Sequence, residues 1–332
     1  MYAFFLITAC LCVSAFTKSV EYSLEDADRY FEDFIKEFDK QYANEIEKET
    51  RFQIFKKNLE DANRLNKEHP DAVFGITAFM DLTTKEFVST YTCLREDATQ
   101  VYCDKIIHDA DIDYTGAPES FDWRDKNVVT PVKDQGGCGS CWAFSATACV
   151  ESQYAIKHRE AIPLSEQELM DCDENSDGCG GGFMSTAMKA LIAKGGQMKE
   201  SDYKYEGSKG KCRLDKRKIV AKVTDCTSYN LTSQEKVKQV LYKVGPISIG
   251  IQAAYLNMYT GGIFPDKLCL GKISHGVLLV GYGTENGKPY WLVKNSWSHS
   301  FGERGYFRLH RSDNPNGACQ MLNDAMTTAT VE

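Results

Sequence analysis

The chain has 332 residues, 42% hydrophobic and 26% charged, with 39 Lys and Arg against 47 Asp and Glu for a net charge of −8. These values exclude a disordered chain, offer no basic excess for nucleic acid, and allow two or three compact units. The charge is unevenly spread: residues 1–116 hold 13 Lys and Arg against 23 Asp and Glu, and residues 117–332 hold 26 against 24. An acidic front before a near-neutral back suggests two units with different jobs, joined by electrostatic docking or merely presenting a solvated helical face.

The N-terminus, MYAFFLITACLCVSAFTKSV, carries an apolar run over residues 3–16 that ends in Val13-Ser14-Ala15. It is too short to span a bilayer and reads as a secretory signal over residues 1–16, the alternative being a short buried helix. No later stretch is long and apolar enough to cross a membrane. Of 13 cysteines, Cys10 and Cys12 fall in this signal; the other eleven would enter an oxidising compartment, where an odd number leaves at least one thiol outside a disulfide.

Phe31, Phe34, Phe38, Phe52, Phe55 and Leu59 recur at helical spacing and predict two helices over 25–69 with a break near Tyr42 to Asn44. FGITAFMDLT alternates Phe74, Ile76 and Ala78 as a short strand would. Residues 94–116 are polar and acidic, the composition of an exposed linker, and a cleavage point near Ala117 would divide a 17–116 unit from a 117–332 unit. From there the spacing predicts a long helix over 140–157 with Ser140 as its candidate cap, then a loop over 171–182. KIVAKV, GPISIGI, HGVLLVGYG, YWLVKNSW and GYFRLHR follow as β-type segments. The second unit therefore reads as a helical half followed by a β-rich half.

Cys138 and Cys141 in DQGGCGSCWAFSA admit three readings. A zinc site wants a second Cys or His pair at ligand spacing, which is missing. A redox dithiol wants a preceding strand and two reduced thiols. The third reading ties up Cys138 in a bridge and leaves Cys141 as a nucleophile in the first turn of a helix, where the partial positive charge favours a thiolate. Such a thiolate needs a base held by a third group. Folding HGVLLVGYGTENGKPYWLVKNSW at Asn286-Gly287 sets His275 and Asn295 close together at the open end of one hairpin, on strands about 4.8 Å apart. The Asn carbonyl can then hold one ring nitrogen and leave the other for a thiol.

CGSCW, with His and Asn 134 and 154 residues beyond Cys141, resembles the signature of the papain-like cysteine proteases. PVKDQGGCGSCWAFSA, LSEQELMDCD, GCGGGFM, GPISIGI and KNSW extend the resemblance over nearly all of 117–332. In the front unit, Glu47, Arg51, Phe55, Asn58 and Asn66 follow the pattern of the inhibitory propeptide of cathepsin L-like enzymes, with Ala62 in place of Ile and Thr77 in place of Asn in GITAFMD. Within the family, YCDKIIHDADI, ESQYAIKH and ESDYKYE look most like the viral cathepsins of baculoviruses.

The resemblance implies an α+β, papain-like two-domain fold, a helical left domain and a β-barrel-like right domain, behind an α-helical inhibitory propeptide. It implies a cysteine endopeptidase made as a zymogen. Cys141 is then the nucleophile and His275 its proton partner in a thiolate–imidazolium pair; Asn295 orients the ring and Trp297 shelters it. Gln135, six residues before Cys141, would complete an oxyanion hole with the Cys141 N–H. Gly181 and Gly182 would let a substrate backbone come close, and Phe183, Met184, Gly250, Ile273, Gly276 and Asp324 would form the main specificity pocket. Asp324 at its floor predicts acceptance of Arg or Lys beside apolar side chains; the competing reading is an exposed C-terminal Asp.

Family pairing joins Cys138 with Cys179, Cys172 with Cys212 and Cys269 with Cys319; it gives Cys149 and Cys226 no partner, and Cys93 and Cys103 are close enough in sequence to pair with each other. Ser298 stands where the family has Gly, predicting a strained turn, and Phe301 stands in place of a second Trp. Asn230-Leu231-Thr232 is a glycosylation sequon. No metal and no cofactor are expected. The expected partners are peptide and protein substrates and the chain's own propeptide, with no nucleic acid and no membrane span, in a monomer. The expected place is the secretory pathway, outside the cell or in a lysosome-like acidic compartment, and, by viral kinship, breakdown of host tissue after lysis. A cellular arthropod cathepsin L with a digestive or lysosomal role is the alternative, and a catalytically silent propeptide-type inhibitor a remote one.

Overall fold

The computed structural model describes residues 20–92, 94, 102–113 and 115–332. The signal over 1–16 and Cys93 lie outside them. Helices α1 (Ala27–Glu37) and α2 (Glu45–Glu68) form the front unit, with Phe31 and Phe34 packing on Phe55 at centroid distances of 5.3 and 5.1 Å. The break between them falls where predicted, because the chain recaps there. Asn44 accepts from Glu47 N at 3.0 Å, and the Glu47 carboxylate accepts from Ala43 N at 2.7 Å.

Strand β1 (Ala72–Phe74) is shorter than its alternation predicts. After Gly75 N donates to Met258 O, the Thr77 hydroxyl turns to donate to Asn257 O, and Phe79 and Met80 are buried from a turn rather than a strand. Helix α3 (Thr84–Tyr91) follows, opened by a capping box between Thr83 and Glu86.

Strand β2 (Lys105–His108) lies in the stretch read as linker. It is a strand because it pairs in parallel with an open edge of the peptidase unit, Lys105 opposite Thr227 through His108 opposite Asn230. The peptidase unit then runs β3 (Phe121–Asp122), α4 (Cys141–His158), α5 (Glu166–Cys172), α6 (Met184–Lys194), β4 (Gln197–Met198) and β5 (Ile219–Ala221). It continues with β6 (Val223–Asn230), α7 (Gln234–Val244), β7 (Ile247–Ile251), β8 (Tyr259–Phe264), β9 (His275–Glu285), β10 (Lys288–Lys294), β11 (Tyr306–His310) and β12 (Met326–Val331). The large sheet has the order β1-β8-β11-β10-β9-β7-β12-β6-β2, with β3 on β9. Segments of the front unit thus form both of its ends.

Two apolar cores result. One joins the Phe-rich helices to the β-rich half; the other surrounds α4 and α6. Residues 141–152 of α4 are all buried, and the small residues among them let the helix lie close to the sheet. Ser145 Oγ donates to Val277 O at 2.7 Å, and Ser248 Oγ donates to Ser145 O at 2.8 Å. Ser140 occupies the N-cap position, but its hydroxyl pairs with Tyr205 OH at 2.7 Å and leaves the helix amides alone.

Cys138–Cys179, Cys172–Cys212 and Cys269–Cys319 are disulfides. Cys103 bonds to Cys226, so its pairing with Cys93 is corrected: β2 carries Cys103 onto β6, where Cys226 lies. Cys141 and Cys149 are the described cysteines outside disulfides. Among the described residues no helix is long and apolar enough to cross a membrane.

Candidate active site

Cys141 is the first residue of α4 and is fully buried. Its sulfur accepts from Gly276 N at 3.3 Å, which sets it beside His275, the first residue of β9. The β9–β10 hairpin carries a bulge between Leu292 and Val293 that shifts the register, so Lys294 pairs with Leu278. Continued past β10, that register sets Trp297 across from His275 and Asn295 one step along the same face. The rings of His275 and Trp297 are stacked at 4.5 Å and 24°, and the Asn295 contact is diagonal, with Oδ1 2.8 Å from His275 Nε2. With Nε2 donating to that carbonyl oxygen, Nδ1 carries the lone pair; it is buried and takes no hydrogen bond.

Burial pushes the His275 imidazole down to about 4, against the opposing pull of its bond to Asn295. In this closed form burial therefore disfavours the imidazolium.

Gln135 is fully buried, with Oε1 accepting from Ser296 Oγ at 2.7 Å. Its Nε2 donates to Cys138 O at 2.8 Å and to Tyr91 O at 3.2 Å. Tyr91 is the last residue of α3, so its carbonyl belongs to the negative end of a helix. The front unit therefore presents an oxygen with partial negative charge to the very amide assigned to an oxyanion. Trp297 receives Phe79 and Phe87 edge-on at 5.5 and 5.1 Å, and Phe301 at 5.0 Å from its own unit. Phe301 thus gives Trp297 an apolar cover. Ser298 has φ +67°, the left-handed region that favours Gly, as the sequence comparison predicted.

Leu94 lies across the cleft. It pairs in parallel with Gly182, and its N–H donates to Ser274 O at 2.9 Å. A Cβ on Gly182 would meet Trp142 at 2.7 Å and Ser176 Oγ at 2.6 Å, so glycine there answers to packing behind the cleft as well as to a chain in front. Gly181 has φ +108°. Gly250, Ile273 and Asp324 gather round the Leu94 side chain: a Cβ on Gly250 would lie 2.5 Å from Asp324 Oδ2, 2.9 Å from Ile273 and 3.2 Å from Leu94. Asp324 is therefore under the cleft rather than on the surface, and burial pushes its carboxyl up to about 6. Met184 reaches the same wall, its sulfur 3.0 Å from a Cβ on Gly276, and half-buried Phe183 heads α6.

Beneath the site, Lys133 Nζ stands 2.8 Å from both Glu151 and Glu166, and Lys294, next to Asn295, donates to Thr130 Oγ1 at 2.9 Å. This buried cluster joins the helical and β-rich halves below the cleft. Asn230 is exposed at the end of β6. Tyr91 and Leu94 were missed as site residues. The capping box at Thr83 and Glu86 signals the helix that delivers Tyr91; nothing local singles out Leu94.

The chain matches the family model of the papain family cysteine protease over residues 117–329 and that of the cathepsin propeptide inhibitor domain (I29) over residues 31–87. A viral cathepsin of Adoxophyes honmai nucleopolyhedrovirus is 43% identical over 320 residues, covering 94% of each chain. That of Bombyx mori nuclear polyhedrosis virus is 44% identical over 97% of this chain and 98% of its own. Among solved structures, digestive procathepsin L2 proteinase from Tenebrio molitor larval midgut superposes with a TM-score of 0.85 at 34% identity, over 92% of this chain and 99% of that one.

Proposed function

From the premise that this chain belongs to the papain family of cysteine proteases and carries a cathepsin-type propeptide, we propose the residue roles by which it works. It is a cysteine endopeptidase made as a zymogen. Once the propeptide leaves, a substrate strand takes the place of Leu94 beside Gly182. The Cys141 sulfur attacks the scissile carbonyl carbon, and the oxygen gains its charge between Gln135 Nε2 and the Cys141 N–H. In the open cleft the hydrated imidazole takes the thiol proton at Nδ1 and delivers it to the leaving amine as the C–N bond breaks. Water, deprotonated by the same nitrogen, then splits the thioester and restores the thiol. Asn295 holds the ring through both steps, and Trp297 and Phe301 keep water from their bond.

The observation that carries this reading is the His275–Asn295 bond beside a sulfur seated on the Gly276 amide. Its test is labelling with a thiol-directed epoxide after acid treatment, beside hydrolysis of a Phe-Arg dipeptidyl substrate. One label per chain at Cys141, and loss of labelling and activity in Cys141→Ala, are expected. Activity surviving that substitution would end the reading.

The high identity to viral cathepsins supports a viral enzyme that degrades host tissue proteins, working as a monomer in the secretory pathway, an acidic compartment or lysed tissue. The likeness to a Tenebrio midgut procathepsin favours, as second reading, a cellular digestive enzyme. Digestion of insect cuticle and matrix proteins, compared with dietary proteins at acid pH, separates the two.

A further inference from the structure

We propose that residues 102–113, although they precede the peptidase unit in sequence, stay with the active enzyme as a permanent edge strand, bound through the Cys103–Cys226 disulfide. The proposal rests on the zymogen reading above.

Among the described residues, the contacts that anchor this segment reach into the peptidase unit. β2 pairs with β6 over its whole length, and Cys103 N donates to Ser228 Oγ at 2.9 Å. Asp104 pairs with Lys189 on α6 at 2.8 Å. The Asp109 carboxylate accepts from Thr232 N at 3.2 Å and from the Thr232 hydroxyl, and Lys236 Nζ donates to Ile112 O at 2.8 Å. Ile112 is 4% exposed, within the core of the β-rich half. Cys103 and Cys226 are each 1% exposed, so their bond is sealed from small reductants. The other three disulfides lie wholly within 117–332; this one alone among the described residues crosses the boundary.

The front of the propeptide is held differently. β1 on β8, α3 against Trp297 and Leu94 in the cleft are non-covalent contacts that can let go. Removing residues 102–113 would leave residues 227–230 of β6 as a bare sheet edge and uncover Cys226 and the pocket of Ile112. The chemistry sets a second condition. Hydrolysis adds one water across a C–N bond and leaves the S–S bond intact. A single cut near Ala117 therefore keeps the whole propeptide tethered through Cys103, at high effective concentration over the cleft. Only a cut on the N-terminal side of Cys103 frees the inhibitory helices.

The test maps the acid-activated full-length protein, its thiols alkylated under denaturing conditions before any reductant is added. A parallel arm processes the Cys141→Ala zymogen with a trace of added pepsin, so that failure of self-processing is read apart from failure of the tether. We expect a peptide joining Cys103 to Cys226 in the isolated active enzyme in full yield. If the chain is also nicked near Ala117, residues 102–113 are released from denatured protein only by reductant. In Cys103→Ser/Cys226→Ser the nicked segment is lost on denaturation without reductant. Active enzyme with Cys226 alkylated and residues 102–113 missing would overturn the proposal. So would full activity, without reductant, from protein cut near Ala117 alone. The wild-type map decides the matter even if the double variant fails to fold.

Discussion

Replacing Asp324 by Asn keeps the shape of the specificity pocket and removes its charge. The half-buried carboxylate lies beside Gly250 and Ile273, with Leu94 close by in the zymogen. A charge-assisted hydrogen bond in such a place contributes about 1.5–3 kcal/mol. At about 1.4 kcal/mol per tenfold, the preference for Arg over Phe at that subsite should fall by about 10- to 150-fold in the variant. The sign of the pH effect follows from burial. In the closed zymogen the carboxyl is raised to about 6, so its contribution to the closed state is complete below the ordinary carboxylate range and lost as pH rises through 6. Acid thus favours Leu94 in the pocket, and neutral pH favours a guanidinium. The assay is kcat/KM for Phe-Arg, Leu-Arg and Arg-Arg dipeptidyl substrates across the acid-to-neutral range. The Arg-Arg to Phe-Arg ratio should climb with pH in the wild type and stay flat in Asp324→Asn. A variant ratio equal to that of the wild type, or a wild-type ratio that falls with pH, refutes the reasoning.

His275 predicts an opposing pH effect. Its depressed value means that the contribution to the closed state is complete above the ordinary imidazole value and lost as pH falls from about 6.5 to about 4. The difference is worth at most about 3 kcal/mol, less what Asp324 returns. Hydrogen exchange of residues 79–92 should accelerate over that range in Cys141→Ala and much less in Cys141→Ala/His275→Asn; equal acceleration removes His275 from the trigger. Phe87→Ala takes away a fully buried ring that meets Trp297 edge-on, a change that typically costs about 3–5 kcal/mol. The purified zymogen should then hydrolyse a Phe-Arg substrate at neutral pH at least about tenfold faster than the wild-type zymogen, with Phe87→Leu close to wild type. Ser298→Gly relieves a left-handed residue and should stabilise the protein by about 1 kcal/mol, a few degrees in Tm by calorimetry. An unchanged or lowered Tm would show that the turn bears no strain.

The parts of the site that could be read from the chain are those set by local chemistry. Asn286 and Gly287, at φ +51° and +77°, form the tight turn that brings His275 toward Asn295. The bulge in the same hairpin carries no signal, because Val280 and its neighbours form an unbroken apolar run, and so the diagonal form of the His275–Asn295 contact could not be read from the chain. KIIH is too short and too unpatterned to read as a strand; the edge of β6 makes it one, and with it the bond from Cys103 to Cys226 across 123 residues. Ser140 looked like a cap because nothing near it in sequence reveals Tyr205, which claims its hydroxyl. β8, with its Gly261-Gly262 pair, and the threonine-rich β12 lack an apolar rhythm and draw their shape from neighbouring strands. The cleft glycines and Asp324 were placed through resemblance, since their roles depend on residues far off in the chain.

The outermost strand at one end of the large sheet, β1, belongs to the piece that is thrown away, and the core beneath the helices of that piece runs on into the β-rich half. The polypeptide that folds is therefore longer than the one that works. Once cut, the enzyme is missing contacts under which its sheet was assembled, so its persistence would rest on the slowness of unfolding. Its working life is a half-life, and a molecule that does unfold has no template from which to begin again.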